Sequence, residues 1–233
     1  MLKKLFLVTV LLAALLPGAA GKDYDYKPRE SWPYLKEDFT QGTVRTSGGT
    51  ILSEGLLNVS VVDGSLHYIS DGVIMAADMR QVYLVKIGDE IYINRLGKLM
   101  RVLHEEPGGY YLIREVLVDR EELAKSDIGY GVNSAVASTQ RLSTLGMEGH
   151  GTLNMDLTTA INQAKTGPVL PLLETLYFLT GSRQTEASKR DFLEMPGLDK
   201  DEAKAFLKKE KIKFNKEGDL VKVLLFLVEN NIH

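Results

Sequence analysis

Between Phe39 and Glu122 apolar and polar residues alternate in short runs, and nearly every run ends at a turn signal. That period-2 pattern predicts a succession of antiparallel strands rather than helices. The clearest stretch is residues 57–79, which holds two Asp-Gly pairs. Asp-Gly suits a two-residue hairpin turn because both residues tolerate positive φ. A turn at Asp63-Gly64 sets Val62 opposite Ser65, Val61 opposite Leu66, Ser60 opposite His67 and Val59 opposite Tyr68. A second turn at Asp71-Gly72 sets Tyr68 opposite Met75 and Leu66 opposite Ala77. One face then collects Val59, Val61, Leu66, Tyr68 and Met75, and the other holds Asn58, Ser60 and His67, which predicts a half-buried meander.

The pattern continues through residues 81–95, folding back at Gly88-Asp89, and residues 98–118, turning at Pro107-Gly108-Gly109. With the weaker segments Thr43–Arg45 and Ile51–Leu52, about seven or eight strands are expected, enough for a sheet to curl or close over one face. Residues 126–152 break the periodicity with small polar residues and five glycines, the composition of a long loop. Leu153–Ala164 fits strand and helix equally. Residues 172–187 predict a further hairpin turning near Gly181.

Three helices are expected after it. Ser188 caps the first, with Asp191 three residues on and Pro196-Gly197 ending it. Asp199 opens the second, with Glu202 at the capping-box position and Ala203, Phe206 and Leu207 on one face. Leu220–Val228 is apolar except for Lys222, so the third should be buried on more than one side. The fold class expected is α+β, mainly β: an antiparallel meander curled into a small barrel or roll, with two or three C-terminal helices.

The first 21 residues have a different layout. Lys3 and Lys4 precede the uncharged run Leu5–Leu16, and small residues follow at Gly18, Ala19, Ala20 and Gly21. This is the arrangement of a secretory signal peptide. A spanning helix needs roughly 20 apolar residues, and this run stops at Pro17. The expected organisation is a signal peptide over 1–21, an antiparallel β domain over 22–125, a Gly/Ser-rich loop over 126–152, and a hairpin with helices over 153–233. The mature chain would then be periplasmic, secreted or on the cell surface.

Composition narrows the chemistry. The 233 residues are 44% hydrophobic and 25% charged, with 28 basic and 31 acidic residues and no cysteine. Disulfides, thiolate metal sites and cysteine nucleophiles are therefore excluded. A net charge of −3, or −5 without the first 21 residues, lacks the basic footprint of a nucleic-acid binder.

The four histidines, His67, His104, His150 and His233, form no metal-ligand spacing. His67 opposite Ser60 is a candidate nucleophile pair, but no elbow motif surrounds Ser60, and a solvated strand histidine is the plainer reading. Gly129–Ser134 lacks the Lys-Ser/Thr of a phosphate-binding loop, and His150 sits between glycines without identifiable partners. Glu105-Glu106 and Glu121-Glu122 read as turn and surface carboxylates, and Lys204–Lys216 as a solvated helix face. The aromatic start Tyr24, Tyr26, Trp32 and Tyr34 is expected to dock on the sheet. No catalytic, metal or cofactor residues emerge.

Two stretches carry a resemblance. Residues 42–93, with the line Val82–Asp89 reading V-x-x-V-x-I-G-D, and residues 192–227, where a Lys-rich helix precedes an apolar one, resemble secreted, uncharacterised proteins of Bacteroidetes. The resemblance implies an exported protein and supplies no active site. The function expected is a non-enzymatic binding module of the cell envelope that holds a protein partner through the sheet face or the 126–152 loop. The alternatives are a small-molecule or lipid carrier using a barrel cavity, and a hydrolase with dispersed groups.

Overall fold

The structure, a computed structural model, describes residues 32–125, 155–164 and 170–233. Among them, eight strands occupy the predicted meander: β1 Thr40–Arg45, β2 Ile51–Val59, β3 Leu66–Ser70, β4 Val73–Ala76, β5 Leu84–Ile87, β6 Glu90–Arg95, β7 Lys98–Glu106 and β8 Tyr110–Val118. After helix α1 (Arg120–Lys125) come β9 (Met155–Asp156) and α2 (Leu157–Ala164), so the ambiguous segment holds both a strand and a helix. The hairpin β10 (Leu172–Thr180) and β11 (Arg183–Glu186) turns at Gly181.

These strands form one sheet in the order β11-β10-β8-β7-β6-β5-β1-β2-β3-β4-β9, antiparallel throughout and curled into a half-barrel. It is two hairpin runs sharing a seam, because β5 pairs with β1 rather than with β4. The curl is visible in hydrogen bonds between parts remote in strand order. Val118 N donates to Val61 O at 2.7 Å, and Leu99 N donates to Gly64 O at 2.8 Å. The concave side thereby buries Val59, Val61 and Leu66 together with Val116 and Val118.

The turn at Asp71-Gly72 has the predicted register, with Tyr68 opposite Met75 and φ of 52° and 78° at the two turn residues. The other Asp-Gly turn is a correction. Leu57 pairs with Tyr68, Asn58 with His67 and Val59 with Leu66, two residues from the expected register. Ser60 N donates to Ser65 O, closing a four-residue loop. The reason is tertiary: Val61 and Val62 are buried, and both backbone groups of Val61 are engaged elsewhere, by Pro33 O and Val118 N. A shift of two preserves the side each residue faces. Asn58 and His67 still point to the side opposite Leu57 and Val59.

That second side is not solvated at this point. Residues 33–35 run beside the end of β2, with Leu35 N on Val59 O, and the Asn58 side chain bridges to the backbone of Lys36. Trp32 and Tyr34 are buried, so this part of the aromatic start docks on the sheet; residues 23–31 lie outside the described residues.

The three C-terminal helices are α3 (Lys189–Leu193), α4 (Lys200–Glu210) and α5 (Glu217–Glu229). Ser188 Oγ accepts from Asp191 N, and Asp199 Oδ1 accepts from Asp201 N and Glu202 N, so both caps form as predicted. In α5 Leu220, Val223, Leu224, Phe226 and Leu227 are buried while Leu225 is exposed, a broad stripe rather than burial all round. The helices cover the concave side at the other end of β8 and β10, packing on Tyr110, Leu112 and Phe178. No helix among the described residues is long and apolar enough to cross a membrane.

Candidate functional site

His67 is the centre of the most chemically suggestive group. It is 2% exposed, and its ring nitrogens meet Tyr34 Oη and Ser65 Oγ, each at 3.0 Å. Ser65 Oγ in turn lies 2.7 Å from Asp63 Oδ1. Ser60, the partner expected from sequence, is not in contact with the ring; its Oγ accepts from Val62 N. The solvated strand histidine is likewise corrected to a buried one, because the docked Trp32–Leu35 segment covers it.

Proton directions decide what this group can do. A carboxylate only accepts, so the 2.7 Å contact uses the Ser65 proton. His67 Nε2–H must then donate to Ser65 Oγ, which leaves Nδ1 to accept from the Tyr34 hydroxyl. The chain Tyr34→His67→Ser65→Asp63 is satisfied at every step. It runs opposite to the direction a histidine base needs to take a serine proton. Burial depresses the His67 pKa to about 4, with Asp63 opposing more weakly, and burial chiefly raises the Tyr34 hydroxyl. The imidazole is neutral, and its hydrogen bonds to Tyr34 and Ser65 fix the docked segment to β3.

A charged belt separates the two concave cores. Glu90 contacts Lys36, Arg101 at 3.0 Å and the Tyr92 hydroxyl at 2.7 Å. Burial works to raise the Glu90 carboxyl, but these contacts outweigh it and hold the pKa below the ordinary value. Arg114, opposite Arg101 on β8, reaches Glu217 of α5 at 2.9 Å and Glu174 of β10 at 3.5 Å. The belt ties the N-terminal segment to β6 and α5 to β8 of the same sheet.

The convex side carries four of the exposed large apolar side chains. Strand registers place Ile51, Leu56 and Ile91 on it through their partners Arg45, Gln41 and Lys86, and Leu173 through Leu117. Ile51, Leu56, Ile91 and Leu173 are 49%, 42%, 39% and 53% exposed. Between them Ile93, Met100, Ile113 and Leu179 form a small cluster flanked by Tyr111 and Tyr177. Tyr177 Oη donates to Glu115 Oε2 at 3.1 Å, and Lys98 pairs with the same carboxylate. Burial and Glu115 push the Tyr177 pKa up to about 12, so it presents a neutral phenol. At the β6–β7 turn, Leu96 is 91% exposed with a φ of 54°, a left-handed conformation unusual for leucine. Only the registers of seven strands reveal this surface, since along the chain its residues look like isolated apolar positions.

The remaining candidates are scattered. His104 Nε2 lies 2.7 Å from Glu106, and His233 packs on Tyr110 at the far end of the helices. Glu105 sits by Tyr111, and Glu121 and Glu122 occupy the first turn of α1. His150, Gly129–Ser134 and the whole 126–152 segment lie outside the described residues. Among the described residues no group of three or more His, Asp or Glu is placed to hold a metal ion. Comparison with known protein families, with curated proteins and with solved structures finds no match.

Proposed function

We propose that this chain is an exported, non-catalytic binding module of the cell envelope that holds a protein partner on the convex side of its sheet. The observation that carries the reading is the set Ile51, Leu56, Ile91 and Leu173, four large apolar side chains exposed on one side of one sheet. The four are spread along the sheet from β2 to β10, and large apolar side chains left exposed on one side of a rigid sheet support an interaction site there. Tyr177, on the same strand as Leu173, suits such a surface, being large, stiff and amphipathic. The N-terminal Lys3-Lys4 and Leu5–Leu16 pattern supports export.

Ile91→Glu and Leu56→Glu test the surface. Both side chains are exposed, so each change should move stability by no more than about 0.5 kcal/mol. Tagged mature protein is expected to retain a stoichiometric envelope protein that either variant loses, with the fold confirmed by circular dichroism. A partner retained equally by both folded variants would remove the convex side from the interaction.

A further inference from the structure

A cavity of about 300 Å³ opens among the C-terminal helices, away from the convex side, lined by Lys189, Lys204, Leu207, Lys208, Ile212 and Phe214. Its construction follows from the local sequence. Lys204 and Lys208 are four residues apart on α4, hence neighbours on one helix face, with Leu207 beside them. Helix α4 ends at Lys211, whose left-handed φ of 54° turns the chain back, and Ile212 N donates to Leu207 O at 3.1 Å. This brings Ile212 and Phe214 over the cavity floor, where Phe214 meets Phe192 with ring centroids 6.1 Å apart. Lys189, the first residue of α3, closes the third side.

The lining therefore combines three apolar side chains, Leu207, Ile212 and Phe214, with three exposed lysines. Among the described residues Lys204 has one ion pair, with exposed Asp201 at 3.4 Å, and neither Lys189 nor Lys208 is paired with a carboxylate. Like charges at i and i+4 repel, and an exposed pair such as Lys204–Asp201 contributes little. A ligand carrying one negative charge on an apolar body matches both halves of the lining. A space of about 300 Å³, open to solvent on one side, suits an organic ion on the order of ten non-hydrogen atoms. A two-chain lipid is far larger.

We propose that this cavity binds a small monocarboxylate with a hydrocarbon body. Leu207, Ile212 and Phe214 enclose the hydrocarbon, and Lys189, Lys204 and Lys208 surround the carboxylate. This site is independent of the convex-side reading and survives its failure.

The test is titration of the mature chain with octanoate at neutral pH and low salt, read by calorimetry and by the methyl resonances of Leu207 and Ile212. Octanol supplies the chain without the charge, and acetate the charge without the chain. Octanoate is expected to saturate and to shift those methyls, with octanol and acetate each weaker by about tenfold or more. Lys204→Gln with Lys208→Gln should weaken octanoate by about fivefold or more while leaving octanol unchanged, and raising salt should weaken octanoate alone. Absence of saturation by about 10 mM overturns the proposal. So does octanol binding as tightly as octanoate, or a folded double variant that binds octanoate undiminished.

Discussion

Alanine at position 42 is expected to destabilise the protein by about 3 kcal/mol or more, although the change adds a single methyl group. Gly42 lies in β1 opposite Ile87 of β5 and Gly55 of β2. A Cβ there would lie 2.2 Å from Lys86 O and 2.8 Å from Leu57 Cδ1. The first of these atoms belongs to the backbone and cannot swing aside, so relief requires β1 and β5 to separate. That pairing is the seam between the two hairpin runs, and glycine at such a point lets one strand approach another closely where a sheet bends. Gly55→Ala is the matched control, because a Cβ at 55 meets nothing within 4 Å. Urea unfolding of the two variants should give well-separated midpoints. Equal midpoints would mean that the close approach at Gly42 does not exist in solution.

Acidification should weaken the fold through His67. Its pKa is about 4 in the folded chain against the ordinary 6.5, with burial the main cause. Above pH 6.5 the ring is neutral in both states and contributes no pH dependence. As pH falls from 6.5 toward 4 the unfolded chain takes up a proton that the native chain refuses, so stability drops; below 4 both states are protonated and the loss levels off. Between pH 7.5 and 4.5 this one group accounts for a loss on the order of 2 kcal/mol. His67→Gln removes the titration, at the expense of stability at all pH values. The wild-type loss over that interval should therefore exceed the variant's by about 2 kcal/mol. Parallel losses in the two proteins would show that His67 is not buried and neutral. Because Tyr34 holds the ring, release of the 32–35 segment is expected to accompany this loss.

The candidate chemistry was only partly legible. His67 stands out in sequence as a strand histidine near serines, and its side of the sheet follows from alternation alone. Its partner does not, because the Val61–Gly64 loop is fixed by hydrogen bonds to Pro33 and Val118, residues 28 and 57 positions away. That loop turns a two-residue hairpin into a four-residue one and replaces Ser60 by Ser65 as the serine near the ring. Charge patterning marks Lys204 and Lys208 as a solvated face. Their position at the mouth of an apolar cavity depends on the reversal at Lys211, which brings Ile212 and Phe214 back over α4.

What the sequence determines by itself is local. Alternation from Phe39 to Glu122 specifies about seven or eight strands, Asp71-Gly72, Gly88-Asp89 and Pro107–Gly109 specify turns between them, and Ser188 and Asp199 specify where α3 and α4 begin. These features depend on side-chain period, φ preference and capping, all of which act within a few residues. Tertiary structure decides that β5 returns to β1 instead of pairing with β4. It also decides that the sheet curls until Val118 meets Val61, and that an apparently polar strand face at Asn58 and His67 is sealed by Trp32–Leu35. Each of these is a contact between distant segments, selected by which apolar surfaces can be buried together, and no period along the chain encodes that choice.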